Sequence, residues 1–200
     1  MLDLIQNLMN GVFKRKEQQY DGMFNPTEIK YLDDEYFDLE NNIPSVPDDI
    51  EKIAEQMSIE FNVPKPLLCA VIFCESAFRK KAYRFEPAFK SRYIDRNSNY
   101  KDLPDDEKEW LATSHGLMQI MGLTAIELGY QFDTMEQIYE PEINIEIGAF
   151  FLRKLFNKYK SWEDAIASYN AGSPRYDSDG TYVNQDYIDK VVSYWNKYKS

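Results

Sequence analysis

The sequence predicts an all-α domain, and three observations carry that prediction. Apolar residues recur at helical spacing in one stretch after another, the apolar-polar alternation of strands is almost absent, and residues 67–74 form a run of eight uncharged side chains long enough to be buried on every side as a helix. At 200 residues with 44% hydrophobic content the chain suits one medium domain with a sizeable core, and an aromatic content of 15%, from 15 Tyr, 12 Phe and 3 Trp, excludes disorder. No apolar run approaches the roughly 20 residues that span a bilayer, which argues against membrane insertion. A net charge of −11 argues against nucleic acid or an anionic membrane as the main partner, since both require patches of Lys and Arg.

The first 46 residues read separately from the rest. Leu2, Ile5, Leu8 and Phe13 stand at helical spacing, and residues 21–46 are acidic and tyrosine-rich with Pro26 and Pro44, so an N-terminal helix followed by an extended arm is expected. From Pro47 the pattern is that of a packed domain running to residue 200. Asp48, Asp49 and Glu51 crowd the first turn of a helix whose Ile53, Met57 and Phe61 share a face, and acidic residues there complement the helix dipole. Pro64 and Pro66 open the buried helix. Residues 79–113 lose periodicity and gain charge, with one short helix expected near 104–112; a connection that long inside a domain is often functional. Gly129 closes a helix over 124–129. A long helix follows Pro141 to about residue 159, apolar on two stripes through Ile147, Phe151 and Leu155 and through Ile145, Leu152 and Phe156. Ser161 with Asp164 has the spacing of a capping box, opening a helix that ends at Asn170-Ala171-Gly172, and a last amphipathic helix spans about 185–198.

Cys69 and Cys74, both in the apolar helix and five residues apart, point in different directions and read as core residues. With the lone His115 they cannot make a structural zinc site, and no metal cluster or cofactor motif stands out. His115, beside Gly116, reads as a loop residue with no partner nucleophile. The N-terminus has Asp3 where a secretory signal wants a positive charge, so no export signal is recognisable.

Glu75 is the candidate for chemistry. It ends the buried helix, where apolar surroundings and the negative end of the dipole both disfavour its charge, so its pKa should be raised. A carboxyl still protonated near neutral pH can deliver a proton to a leaving oxygen, as in glycosidases.

Four segments then stand in order: Glu75-Ser76 closing an apolar helix, Gly-Leu-Met-Gln-Ile at 116–120, Ser-Tyr-Asn-Ala-Gly at 168–172, and Tyr187 opening the final helix. Together they resemble the soluble lytic transglycosylase (SLT) domain, of goose-type lysozyme-like fold, over about residues 47–199. The resemblance implies an enzyme that cleaves peptidoglycan glycan strands with neither metal nor cofactor, as a monomer. It implies Glu75 as sole acid and base: it protonates the oxygen between N-acetylmuramic acid and N-acetylglucosamine, then takes the proton of the muramyl 6-hydroxyl as that oxygen closes on C1. The product is a 1,6-anhydromuramic end. The resemblance also implies that Gly116, Leu117, Met118 and Gln119 line the sugar groove. Gly116 would let backbone approach the sugar, and Gln119 would offer a donor and an acceptor. Tyr169 and Asn170 would lie near the acid, with the Tyr169 phenol orienting it, and Tyr187 would form an aromatic groove wall.

The sequence departs from the family in the long insertion after Ser76. Ser114 stands where Ala is common, and the serine that usually supports the acid has no obvious counterpart. Residues 84–87 are similar to a segment of phage-encoded relatives, which makes Glu86 a second carboxyl near the substrate, with pairing to Arg79 or Arg84 as its structural alternative. Action on the bacterial cell wall, in the periplasm, without a recognisable signal suggests delivery as a phage endolysin or on a virion. Two other readings are a hydrolytic muramidase, with Glu86 or Asp95 activating water, and a wall-binding module without catalysis. The acidic composition is unexpected for a protein that must meet an anionic wall.

Overall fold

The computed structural model describes residues 44–199, so the expected N-terminal helix and most of the arm lie outside the described residues. Helix α1 (Asp48–Phe61) begins at Pro47 with its three acidic residues in the first turn and stops at Asn62, whose left-handed backbone lets its N–H close onto the Ser58 carbonyl. After Pro64 comes α2 (Lys65–Ser76), in which six consecutive residues from Leu67 to Ile72 are almost inaccessible. Burial on all sides needs a neighbour on every face: α1 and the final helix pack against α2. Leu68→Ala would leave a cavity at the centre and cost about 2–5 kcal/mol.

The aperiodic insertion holds the main departure from expectation. It carries β1 (Tyr83–Phe85), a single turn α3 (Pro87–Phe89) that widens into a π turn at Lys90–Ile94, and α4 (Asp105–Leu111), where the short helix was expected. Strands β2 (Thr113–His115) and β3 (Ile120–Met121) complete a three-stranded antiparallel sheet in the order β1-β2-β3, with Arg84 opposite Ser114 and Ser114 opposite Met121. Strands of two or three residues are too short to display a period of two, and all three residues of β2 are buried, so no alternation exists to be read. The domain remains helical around this small sheet.

Helix α5 (Gly122–Glu127) follows β3, then a 3₁₀ turn at Met135–Tyr139 leads to α6 (Pro141–Tyr159). As the two stripes require, α6 is buried on more than one side, and it packs against α1 and against α7 (Trp162–Ala171). The Ser161 side chain accepts from Asp164 N–H at 3.2 Å, half of the anticipated capping box. The other half is replaced: Asp164 Oδ1 accepts the hydroxyls of Tyr176 and Tyr182, which ties the following loop to α7. Helix α8 (Gln185–Lys197) turns Ile188, Val191 and Tyr194 inward against α2 and α7, and Trp195 meets Trp162 edge to face.

Candidate active site around Glu75

Glu75 emerges where α2 leaves the core. Leu67 to Ile72 are sealed, Phe73, Cys74 and Glu75 are half-buried, and Ala77 and Phe78 turn the chain away in left-handed conformations. Its Oε1 accepts the Tyr187 hydroxyl at 2.5 Å, from the first turn of α8. Burial raises the Glu75 pKa above its usual 4.5; the Tyr187 bond and the charges of Arg84 and Lys190 pull the other way without overcoming it. Burial and the nearby Glu75 hold the Tyr187 and Tyr169 hydroxyls well above the ordinary phenol range, so both keep the proton they donate at working pH. A carboxyl whose pKa is raised by burial and which accepts a phenol hydroxyl is equipped to give a proton and take one back.

The two tyrosines use their hydroxyls on different partners. Tyr187, the anticipated groove wall, is the phenol on the acid, while Tyr169 donates at 2.7 Å to the carbonyl of Met118. The cause is position: Tyr187 stands on the helix packed along α2, whereas Tyr169 on α7 reaches the turn between β2 and β3.

That turn is built from within. Asn144 on α6 is fully buried, accepts from Met118 N–H at 2.8 Å, and donates to the carbonyls of His115 (2.9 Å) and Ile138 (2.8 Å). Gly116, at φ +73°, lies against it, and a Cβ there would come within 2.5 Å of the Asn144 amide. Glycine is therefore demanded here by Asn144 and by the positive φ. Leu117 and Met118 are fully buried, backbone and side chain alike. Gln119 spends both amide protons on the carbonyls of Gly116 (2.9 Å) and Ala82 (3.1 Å), leaving an acceptor but no donor for a ligand.

The remaining candidates are placed as follows. Ser76 is buried and its hydroxyl bonds back to the Ile72 carbonyl at 3.1 Å, so its side chain faces its own helix. Ser114 is buried in β2. Asn170 is exposed and accepts from Asn184 at 3.0 Å. Glu86 pairs with Arg84 at 2.6 Å, the structural alternative, and Asp95 pairs with Lys90 at 3.1 Å. His115 is buried between the Tyr139 hydroxyl (2.8 Å) and the Trp110 carbonyl (2.9 Å); burial lowers its pKa to about 4, so it is a neutral structural residue. Cys69 and Cys74 are free, their thiols pushed up by burial to about 11 and about 12. Among the described residues no group of three or more His, Cys, Asp or Glu is gathered that could hold a metal ion. A cavity of about 420 Å³ lined by Asn62, Pro64, Arg153 and Trp162 lies beside the start of α2, about 16 Å along the helix from Glu75, and belongs to a different part of the surface.

Residues 52–192 match the family described as "Transglycosylase SLT domain". The chain belongs to that family. Among solved structures, an inactive mutant of the lytic transglycosylase Slt from Pseudomonas aeruginosa is similar at 19% identity with a TM-score of 0.48, over 74% of this chain and 23% of that one. This chain thus spans less than a quarter of that enzyme's length. No curated protein matches. The SLT-family match runs through α1 to α8 and includes both Glu75 and its phenol.

Sequence reading missed three supports of this SLT domain. Asn144 was legible as the one polar residue inside the apolar run Ile143 to Ile145. Arg84 and Lys190 could not be found that way, because only folding brings their charges near Glu75.

Proposed function

We propose that this domain cleaves the bond between N-acetylmuramic acid and N-acetylglucosamine in peptidoglycan as a lytic transglycosylase, with Glu75 as its single acid and base. The carrying observation is the Glu75 carboxyl, its pKa raised by burial and its Oε1 accepting the Tyr187 hydroxyl at 2.5 Å. In the forward step the Glu75 proton passes to the glycosidic oxygen as the C1–O bond breaks. The Glu75 carboxylate then removes the proton of the muramyl 6-hydroxyl, whose oxygen bonds to C1, so no water is consumed and Glu75 ends protonated. The Tyr187 donor stabilises the carboxylate between the two steps. Work on peptidoglycan sets the place of action at the cell wall or periplasm; among the described residues no helix is long and apolar enough to cross a membrane.

A hydrolytic muramidase would need a second carboxylate free to activate water, commonly about 6.5–9.5 Å from the acid in an inverting enzyme. The two candidates for that base, Glu86 and Asp95, are each engaged by a cation, which favours the one-carboxyl reading. Mass spectrometry of digested wall decides. Anhydro ends are expected; reducing muramyl ends, heavier by one water, would overturn the lyase assignment.

A further inference from the structure

The charge of this chain is sharply segregated. Residues 79–101 hold eight Lys and Arg against two acids, Glu86 and Asp95, although the whole chain is at −11. This basic segment borders the catalytic residue: the Arg79 side chain donates to the Ser76 carbonyl at 2.9 Å, and the Arg84 charge acts on Glu75. The segment is firmly seated. Ile94 and Tyr100 are buried, β1 is paired to β2, and Glu86 N–H bonds to the Ala112 carbonyl at 2.9 Å.

Part of its charge is neutralised locally, through Lys80 with Asp49, Arg84 with Glu86 and Lys90 with Asp95. Lys81, Arg92 and Arg96 are exposed and have no carboxylate partner among the described residues. Beside Arg92 stand aromatic rings: Tyr93 is half exposed, packs on Phe89 at 4.9 Å between centroids, and carries the Arg92 guanidinium over its face. Fixed cations next to an open ring suit a ligand that is both anionic and sugar-like.

Resting on the proposed function, we infer that this segment is a docking surface for the peptide stems of the glycan, in which Lys81, Arg92 and Arg96 pair with stem carboxylates. A stem hangs from the lactyl group of the same muramyl residue that Glu75 would cut, so its carboxylates reach a surface bordering the acid. The arrangement also accounts for how a chain of net charge −11 meets an anionic polymer: the remainder of the chain is acidic and the segment bordering Glu75 is basic.

The test compares two purified substrates free of phosphate polymers, peptide-bearing glycan strands and the same strands stripped of peptide by an amidase. The full chain and the triple variant Lys81→Glu, Arg92→Glu, Arg96→Glu are assayed on both, with circular dichroism to show that the variant is folded. We expect KM on peptide-bearing strands to rise about tenfold, since three exposed pairs are each modest, with kcat and the peptide-stripped substrate unaffected. The Gln triple variant should fall between. Equal behaviour of wild type and variant on peptide-bearing strands, or equal loss on both substrates, overturns the inference. So does a difference confined to walls that carry phosphate polymers. Inactivity of the wild type on both substrates is instead the failure of the proposed function, on which the inference rests.

Discussion

Replacing Glu75 by Gln separates catalysis from stability, because the two should move in opposite directions. Gln keeps the shape of the side chain, and its carbonyl oxygen can still accept the Tyr187 hydroxyl, but it has no proton to transfer; lysis should fall at least about a thousandfold. The stability effect follows from the raised pKa. A group whose folded-state pKa exceeds its unfolded value of 4.5 binds its proton more tightly in the folded protein. That contribution is present below pH 4.5 and is lost as pH rises through the folded pKa, above which the ionised carboxylate meets the burial penalty. Gln has no charge to bury, so above the folded pKa the variant should be the more stable of the two, read as a rise in Tm. Thermal unfolding of both proteins, followed by circular dichroism at pH 7 and at pH 4, reads this directly: the variant should melt higher at pH 7 and level with wild type at pH 4. A variant that melts lower at pH 7 would refute the reasoning. It would mean that Tyr187, Arg84 and Lys190 stabilise the carboxylate by more than burial penalises it.

Tyr187→Phe removes a bond that lowers the Glu75 pKa, so the alkaline limb of the rate profile should move to higher pH while kcat drops about tenfold or more; an unmoved limb would show that the phenol does not hold the acid. Tyr169→Phe should leave that limb in place and cost about 1 kcal/mol in urea unfolding, through the lost bond to the Met118 carbonyl. Asn144→Leu strands Met118 N–H and two buried carbonyls and should cost about 3–5 kcal/mol by the same assay, with a loss below 1 kcal/mol contradicting its structural role. His115 behaves oppositely to Glu75: its folded pKa of about 4 lies below the unfolded 6.5, so its contribution is present above pH 6.5 and lost as pH falls toward 4. About 3 kcal/mol should disappear across that window in wild type and persist in a folded His115→Gln variant, as measured by denaturant midpoints at pH 7 and pH 4.

The long helices were legible because their cause is local. Period, capping residues and proline positions for α1, α2, α6, α7 and α8 lie within the stretch that folds, so composition and spacing identify them. The sheet was not legible, since its short strands are specified by each other across a gap of more than twenty residues in the sequence. Glu75 could be singled out from its helix alone, whereas the support of the turn at 116–119 by Asn144, 26 residues on, could not be read from the motif.

The sequence by itself determined the helical class, the buried rod of α2 and the one carboxyl that pays for its place at the end of it, because hydrophobic period and desolvation act through neighbours along the chain. Only the tertiary structure decided which tyrosine orients that carboxyl, which cations temper it and which charges stand free beside it. Those depend on contacts between residues up to 112 positions apart, and hydrogen-bond reach is set by packing in space and not by order along the backbone.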